Sequence, residues 1–450
     1  MNRREFVRTA GQGAMAALGA GVASGAEESG SGKRVGLIGA GWYGKVDLFC
    51  LQQVAPVEVV ALCDVDSRML KDAGERVARW SGGGKKPYLF EDYREMLARE
   101  EFDIVIVGTP DHWHALPTLA AMEAGADVWV QKPVSVDVRE GQVMLETARR
   151  LGRVVQVGTQ RRGTPHLIDL KEKVFEAGLL GRIGHAEVCC FYGMGRNQVM
   201  PVVEVPDFLN WELWTGPAPM RSFRKGVHPK GWRRFEEYGN GIMGDMCIHM
   251  LDTVRWLVGL GMVERVSSSG GILVEKRGSG NIPDTQVATF GFEEFDVVWT
   301  HRTWGQAPDK EYPWAFFIYG EKGTVKGDLN KWEFIPHGGG EGMRGTALVE
   351  REEFPGDGTA DGTNPNVAPG IRGLWRDFLS CVETRERPVA DIEEGHRSSA
   401  ACILANLALK LERSLAWDEK AGEVIDDESA RELLARVYRE GWEHPWRGHK

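Results

Sequence analysis

Residues 33–44 read KRVGLIGAGWYG, and this stretch decides the fold. A short apolar run ends in a G-x-G-x-x-G motif whose glycines are Gly39, Gly41 and Gly44. The first glycine suits a tight turn, the second lets the backbone approach a pyrophosphate, and the third lets the following helix pack against the strand. The helix start offers unpaired N–H groups and partial positive charge to phosphates. The stretch therefore predicts a dinucleotide site between a strand and a helix.

Short apolar runs and helix-length stretches alternate outward from this motif to residue 160. Four further strand-like runs lie at 57–62, 104–107, 128–130 and 154–157. Continuously apolar strands separated by helices predict a parallel sheet covered on both faces. Right-handed crossovers then give an α/β fold with a Rossmann, doubly wound parallel sheet. We assign residues 33–160 to this domain.

The pattern changes after residue 160. Segments rich in β-branched and aromatic residues follow one another at 185–192, 263–275, 285–292, 296–304 and 314–326. This succession predicts a large, mostly antiparallel sheet. Helical periodicity occurs at 167–176, 242–257, 371–384 and 394–411, and residues 338–369 are typical of a surface excursion. We assign residues 161–450 to a C-terminal α+β domain.

Length and composition limit the possible functions. The 450 residues carry a formal net charge of −10 and are 42% hydrophobic, which suits two domains with cores of their own. The acidic balance argues against a nucleic-acid partner, because no basic face is available to displace counterions from phosphates. Seven cysteines without a Cys-x-x-Cys pair predict buried free thiols rather than disulfides.

The N-terminus resembles a twin-arginine export signal. Residues 2–8 read NRREFVR, and a mildly hydrophobic stretch of small residues follows at 9–26. We interpret residues 1–32 as a signal peptide and spacer. We expect the twin-arginine export machinery as a partner, a periplasmic or otherwise exported location, and no membrane association once the signal is removed.

Asp64 ends the second strand-like run and is expected to select the cofactor. A carboxylate there can accept hydrogen bonds from the ribose hydroxyls of NAD and would repel the 2′-phosphate of NADP. Arg68 lies one helical turn further on and could offset part of that repulsion. The pattern favours NAD and leaves NADP open.

Two separate segments carry candidate catalytic residues. Lys132 follows the fifth strand, where it is expected to lie beside the nicotinamide and to stabilise a developing alkoxide. Asp245 and His249 are four residues apart and therefore share one helix face. A histidine can accept a hydroxyl proton near neutral pH, and either Asp245 or Asp252 is expected to orient its ring. From the spacing alone, a structural helix cap explains Asp245 and His249 equally well.

Together these motifs resemble the glucose–fructose oxidoreductase/inositol dehydrogenase family (Gfo/Idh/MocA) from Lys33 onward. Further matching phrases are TPDHWH at 109–114, VGTQRR at 157–162 and WTGPAP at 214–219. The resemblance implies that the catalytic group is Lys132, Asp245 and His249. It also implies that Thr109, Pro110, His112 and His114 line the cofactor, and that the C-terminal sheet mediates oligomers, which we expect to be homodimers or homotetramers.

Gln131 departs from the family's pattern, because the family usually has Glu at this position. Gln keeps an acceptor for cofactor hydroxyls but loses the charge, which leaves Lys132 without its usual neighbouring carboxylate. The cofactor is expected to be tightly bound. The full predicted cofactor-binding set is Gly39, Gly41, Trp42, Tyr43, Gly44, Asp64, Arg68, Thr109, Pro110, His112, His114, Gln131, Lys132 and Gln160.

Aromatic and arginine side chains crowd residues 191–238. Flat apolar rings beside hydrogen-bonding groups suit a sugar, although core or subunit packing explains the same composition. We predict no metal site, because His112 and His114 are two residues apart and no third ligand is evident. The predicted substrate-binding set is Arg162, Trp232, Arg233, Asp245 and His249.

Three functions are compatible with these observations. The first is NAD(P)-dependent transfer of hydride between a sugar or polyol carbinol and the cofactor. The second is redox-neutral, NAD-assisted cleavage of a glycoside through a transient ketosugar, which suits a periplasm with little free NAD. The third is a non-catalytic nucleotide or sugar sensor, against which the acid–base residues argue.

Overall fold

The computed structural model describes residues 32–80, 85–191, 198–359 and 363–447. Residues 1–31 of the predicted export segment lie outside the described residues. Within the described ranges, no helix combines the length and the apolar character that crossing a membrane requires.

Six parallel strands form the first sheet in the order β3-β2-β1-β4-β5-β6, which confirms the predicted doubly wound sheet. The central strands are almost fully buried because helices cover both faces. Their bounds are β1 Lys33–Ile38, β2 Val57–Cys63, β3 Tyr88–Phe90, β4 Ile104–Val107, β5 Asp127–Val130 and β6 Val155–Val157. The covering helices are α1 Trp42–Val54, α2 Ser67–Trp80, α3 Tyr93–Arg99, α4 Ala115–Glu123 and α5 Val138–Leu151.

Ten strands form the second sheet in the order β14-β13-β12-β11-β7-β10-β9-β8-β15-β16. Neighbouring strands are antiparallel except β7 and β10, so the predicted mostly antiparallel sheet is confirmed. The bounds are β7 Ile183–Cys190, β8 Arg265–Gly271, β9 Thr285–Phe292, β10 Phe295–Arg302, β11 Trp314–Gly320, β12 Gly323–Gly327, β13 Lys331–Pro336, β14 Met343–Thr346, β15 Leu415–Asp418 and β16 Glu423–Val424.

Helices pack between and around the two sheets. The apolar helix predicted after residue 242 begins with a π-helical turn, Met243–Cys247, and continues as a regular α-helix. The helices of this half are α6 Pro165–Leu170, α7 Trp211–Thr215, α8 Ile248–Val258, α9 Ala368–Thr384, α10 Ile392–Leu411 and α11 Glu428–Glu432. Short 3-10 turns lie at Asp111–Trp113, Gln160–Gly163 and Gly231–Arg234.

Helix α9 returns from the C-terminal half to the Rossmann sheet. Its Trp375 stacks on Trp129 of β5 with the ring centroids 3.9 Å apart, and the Trp375 indole donates a hydrogen bond to the Asp47 carbonyl. Residues 33–450 consequently form one compact unit. All seven cysteines are buried and free, as predicted.

Candidate active site

A cavity of about 1030 Å³ lies along the carboxyl ends of β1, β2, β4 and β5. Ligands bind at this edge in doubly wound sheets because the loops leaving the strands converge there. The Rossmann half contributes Gly41 after β1, Asp64 after β2, Thr109 after β4 and Lys132 after β5. The opposite wall comes from the C-terminal half, with Trp232, Asp245, His249 and Trp314.

The glycine turn has the geometry that a close backbone approach requires. Gly39 has a φ of +91°, and a Cβ there would lie 2.6 Å from the backbone of Gly108. A Cβ on Gly44 would collide with the Gly39 carbonyl, so the helix packs closely only with glycine at this position. Gly41 instead faces open space, since its Cβ would meet nothing within 4 Å. The space over Gly41 fits a pyrophosphate at the N-terminus of α1.

Asp64 lines the nucleotide half of the cavity, and burial raises its pKa to about 6. Arg68 does not line the cavity. Its guanidinium stacks on Phe208 at 3.1 Å and pairs with Asp66 at 3.1 Å. The predicted role of Arg68 beside the cofactor is therefore wrong, because partners outside the cavity hold its charge.

Lys132 and Asp245 form an ion pair across the cavity, with Lys132 Nζ 2.7 Å from Asp245 Oδ1. Arg233 Nε lies 3.5 Å from the other carboxylate oxygen. Burial alone would raise the pKa of Asp245, but the two cations hold it below its usual range. Gln131 thus does not leave Lys132 without a carboxylate, which corrects that expectation. Asp245 is directed at Lys132 rather than at His249.

His249 is buried and its imidazole is neutral. Burial first, and then the charges of Lys132 and Arg161, lower the pKa of His249 well below its ordinary value. Its Nδ1 has no hydrogen-bond partner among the described residues, and the edge of Trp314 packs against the ring at a centroid distance of 5.4 Å. A neutral imidazole in the cavity wall has a ring nitrogen with a free lone pair and can accept a proton.

Asp252 and Arg162 belong to a buried ion pair behind the cavity. Arg162 donates to both carboxylate oxygens of Asp252, at 2.9 and 2.8 Å, and Ser398 donates to the same group. Neither residue lines the cavity. Their charges are used in joining the 160–163 turn to α8 and α10, so the predicted substrate role of Arg162 and the orienting role of Asp252 are both wrong.

The two histidines of the TPDHWH phrase differ in position. His114 lines the cavity, and its ring nitrogens lie 2.6 Å from the Pro133 carbonyl and 3.0 Å from the Thr109 carbonyl. His112 lies behind the cavity wall, with Nε2 3.0 Å from the Trp214 carbonyl. It was predicted to line the cofactor, but it does not line the cavity. Burial lowers the pKa of both rings to about 4. They brace the loops that end β4 and β5.

Gln131 faces a buried carboxyl group. Its amide donates to Asp47 Oδ2 at 2.7 Å, and burial raises the pKa of Asp47 to about 8. Elsewhere in the cavity wall, Gln160 donates to the Tyr43 hydroxyl at 3.1 Å. Among the described residues, Thr109 Oγ1 and Gln160 Oε1 are buried without a partner. Unsatisfied polar atoms beside the glycine turn are consistent with a polar ligand such as a nicotinamide cofactor.

Asp111 and Arg161 are among the lining residues that the sequence analysis missed. Asp111 faces the cavity, and burial raises its pKa to about 7. Arg161 stacks on Trp314 at 4.5 Å. Both lie inside motifs that carried the family resemblance. The sequence analysis assigned site roles to their neighbours Thr109, Pro110 and Arg162 instead.

Most aromatic residues of the 191–238 stretch form a small core of their own. Trp211 and Trp214 stack at 4.6 Å, and Tyr238 packs edge-on against Trp214. Of the stretch's aromatic residues among those described, Trp214 and Trp232 line the cavity. Core packing therefore accounts for most of the aromatic residues in this stretch. Only Trp214 and Trp232, among those described, are placed where they could contact a sugar.

The fold and the cavity define a dinucleotide-binding α/β protein. Family models match three successive parts of the chain: "Oxidoreductase family, NAD-binding Rossmann fold" over 33–159, "GFO/IDH/MocA C-terminal domain" over 172–326, and "Oxidoreductase family, C-terminal alpha/beta domain" over 364–444. The chain belongs to the GFO/IDH/MocA oxidoreductase family and contains an NAD-binding Rossmann domain.

Curated relatives match parts of the chain. An alpha-N-acetylgalactosaminidase of Shewanella oneidensis is 31% identical over 211 residues, which are 42% of this chain and 45% of that protein. The uncharacterized oxidoreductase YrbE of Bacillus subtilis is 26% identical over 260 residues, which are 57% of this chain and 63% of that protein. The chain thus spans less than two thirds of the length of these relatives.

Solved structures share the fold. An Agrobacterium radiobacter oxidoreductase in complex with NAD+, L-tartaric acid and magnesium has a TM-score of 0.66 and 15% identity, over 86% of this chain and 98% of that one. The WlbA dehydrogenase of Chromobacterium violaceum, in complex with NADH and UDP-GlcNAcA, has a TM-score of 0.64 and 20% identity, over 87% and 97%. An aldose-aldose oxidoreductase of Caulobacter crescentus has a TM-score of 0.63 and 17% identity, over 86% and 100%.

Proposed function

We propose that this protein is an NAD-dependent oxidoreductase that acts on a carbinol of a sugar or sugar-like polyol. The observation that carries the proposal is the Lys132–Asp245 ion pair, which lines the same cavity as His249 and the glycine turn. An acid–base group and a dinucleotide turn in one cavity suit hydride transfer better than ligand sensing.

Each catalytic side chain has a role that its surroundings support. The neutral His249, which lines the cavity, accepts the hydroxyl proton of the carbinol on its imidazole. The Lys132 ammonium stabilises the developing oxyanion, and Asp245 holds that ammonium in place from 2.7 Å. Bound NAD supplies the hydride acceptor. Asp64, which lines the nucleotide half of the cavity, favours a ribose without a 2′-phosphate.

Structural neighbours support a sugar as the substrate class. The WlbA dehydrogenase binds UDP-GlcNAcA, and another neighbour is an aldose-aldose oxidoreductase. The proposed export of this chain in folded form agrees with a tightly held cofactor, because a compartment with little free NAD requires the nucleotide to be recycled within the site.

A second candidate function is redox-neutral cleavage of a glycoside. The 31% identity to the Shewanella alpha-N-acetylgalactosaminidase favours it. In such a reaction a ring carbinol is oxidised to a ketone, which acidifies the neighbouring C–H. Loss of that proton expels the glycosidic oxygen, which takes up a proton and leaves as the neutral alcohol. Addition of water and return of the hydride complete a net hydrolysis without consumption of NAD.

One preparation tests both candidates. The protein is purified in folded form, its bound nucleotide is identified by mass spectrometry, and sugars and glycosides are supplied without added cofactor. A dehydrogenase forms bound NADH in amounts that do not exceed the protein, whereas the cleavage reaction releases many alcohols per protein without net NADH. Absence of nucleotide, together with no binding of added NAD, would overturn both functions.

A further inference from the structure

The substrate half of the cavity contains an excess of cations. The lining cations around the catalytic pair are Lys132, Arg161 and Arg233, whereas the carboxylates among the described lining residues there are Asp111 and Asp245. The chain as a whole carries a net charge of −10, so this excess is local. Cations that line a partly enclosed cavity concentrate the field and attract anions.

Two of these cations share one carboxylate. Lys132 and Arg233 both converge on Asp245, so one anion serves two cations. Burial raises the pKa of Asp111 to about 7, so near neutral pH this carboxyl group is a weaker counter-charge than an ordinary aspartate. An oxidised nicotinamide ring beside these groups would bring another positive charge.

Arg233 has the geometry of an anion ligand. Its guanidinium stacks on Trp232 at 4.1 Å, which fixes the plane of the group. Within the described ranges, Asp245 is the only carboxylate inside ion-pair distance, and it is reached through Nε alone. The side chain is 30% exposed toward the cavity. A planar guanidinium held in this way can bind a carboxylate or a sulfate through two parallel hydrogen bonds.

The positive field extends to the proton acceptor. Arg161 is 2% exposed and stacks on Trp314, the ring that packs edge-on against His249. The charge of Arg161 lowers the pKa of His249, and Arg161 and Arg233 line the same cavity.

We propose that the substrate is an anionic sugar, whose carboxylate or sulfate group binds Arg233 while its carbinol faces His249 and Lys132. The inference deepens the proposed function, because it names the substrate class of the same site. The anion complements the second cation at Asp245 and is attracted by the net positive charge of the substrate half.

Calorimetric binding to the nucleotide-loaded protein tests the inference without requiring turnover. The probes are glucuronate, galacturonate and glucose 6-sulfate, with glucose and galactose as neutral counterparts. We expect at least one anionic sugar to bind about 10- to 100-fold more tightly than its neutral counterpart, as charge-assisted hydrogen bonds do, and to lose this advantage at high salt. The carboxylate and sulfate probes distinguish the two kinds of anion. Equal binding of charged and neutral sugars, or binding of none, would overturn the inference.

A pair of variants assigns the effect to Arg233. We expect Arg233→Gln to abolish the discrimination between anionic and neutral sugars, and Arg233→Lys to retain part of it. Arg221→Gln is the matched control, because it removes the same charge from an exposed residue of the same segment, paired with Glu237 at 3.0 Å outside the cavity. Unchanged discrimination in Arg233→Gln, with nucleotide binding intact, would contradict the assignment.

The outcomes separate this inference from the proposed function. Neutral sugars that reduce the bound NAD as well as anionic ones would leave the oxidoreductase in place and remove the anion site. Tight, salt-sensitive binding of an anionic sugar without any NADH formation or glycoside cleavage would keep the anion site and remove the catalytic proposal.

Discussion

The 2.7 Å ion pair between Lys132 and Asp245 is the residue-scale basis of the catalytic proposal. We expect Lys132→Met to lower kcat by about 10²- to 10³-fold, because the developing oxyanion loses its main cation. Nucleotide binding should change only a few-fold, since the glycine turn is untouched. Lys171→Met, which removes an exposed lysine paired with Glu176 at 2.7 Å, is the control. Steady-state kinetics with the preferred sugar would contradict the role if both variants kept full activity.

Asp64 makes cofactor affinity depend on pH. Its pKa is raised to about 6 by burial, and the ionised carboxylate is the better acceptor for ribose hydroxyls. NAD affinity is therefore complete above that pKa and falls as pH drops through it, by up to about tenfold per unit. Calorimetric titration of NAD across this range measures the effect. The Asp64→Asn variant should bind NAD more weakly, and its affinity should not change with pH over this range. The same change of affinity with pH in the variant would show that Asp64 does not cause it.

Asp47 makes the free energy of unfolding decrease as pH rises, as an acid that is buried in its neutral form does. Its pKa in the folded protein is about 8, raised by burial from an ordinary value of 3.8. Its contribution to stability is fully present below the unfolded pKa and is lost as pH rises toward the folded pKa. We expect Asp47→Asn to gain on the order of 2–5 kcal/mol over the parent near pH 8, and nothing near pH 4.

Denaturant unfolding at both pH values measures this difference. Asp169→Asn, at an exposed position paired with Lys173 at 2.6 Å, is the control and should show no such gain. A stability difference between Asp47→Asn and the parent that is the same at both pH values would argue that Asp47 is ionised in the folded state.

Residue types and motif spacing predicted much of the cavity but not the direction of each side chain. The residues Gly39, Gly41, Asp64, Lys132, Asp245 and His249 all line it. Arg68, His112 and Arg162 do not, because each found a partner that sequence proximity does not reveal. Asp252 lies 90 residues from Arg162, and Phe208 lies 140 residues from Arg68. Long-range pairing of a charge is set by the tertiary fold, which a single motif does not contain.

At the scale of the elements, periodicity predicted most helices and strands within a few residues. The residues 314–326, predicted as one strand, are two strands joined by the tight turn between Gly320 and Gly323. The turn is Gly320-Glu321-Lys322-Gly323, and the strand-like residues on both sides of it led to the prediction of a single strand. The predicted surface excursion 338–369 contains strand β14 and the buried Phe354. Its Gly and Pro content concealed this order.

The C-terminal segment 434–447 is an element whose attachment depends on pH. His444 pairs with Asp137 at 2.9 Å, and Tyr438 donates to Glu140, the other carboxyl group beside the imidazole. Burial alone would lower the pKa of His444, but these carboxyl groups raise it. The attachment is therefore complete below the ordinary histidine pKa and weakens as pH rises through the raised value.

We expect hydrogen exchange in 434–447, corrected for its intrinsic pH dependence, to accelerate by about 3- to 10-fold between pH 6 and pH 8.5, as the loss of roughly 1 kcal/mol predicts. His444→Gln should exchange at the faster rate at both pH values. The segment matters for the site because its Trp442 packs edge-on against the cavity residue Trp113 at 5.0 Å. Exchange that is equally slow at both pH values in both proteins would show that other contacts fix the segment.

At the scale of the whole molecule, the chain does not keep its two halves apart. Sequence patterns separated residues 33–160 from the rest, yet α9 contributes Ile371, Leu374, Trp375 and Phe378 to the core of the Rossmann sheet. The amphipathic pattern of α9 did not indicate which sheet the helix would cover, because its apolar face could be buried against either sheet. Because α9 buries its apolar face on β5, whose carboxyl end carries Lys132, the position of the catalytic lysine depends on a helix about 240 residues further along the chain.

This interlock predicts cooperative unfolding of residues 33–450. We expect Trp375→Ala to destabilise the protein by about 3–5 kcal/mol, because it removes a fully buried ring stacked on Trp129 and leaves a cavity between the halves. Trp375→Phe should lose less, since it keeps an aromatic ring in that space. Calorimetry should then show one transition moved to lower temperature, in which the Rossmann half and the C-terminal half melt together. Two transitions, of which Trp375→Ala shifts only the first, would show that the halves fold independently and that α9 is not what couples them.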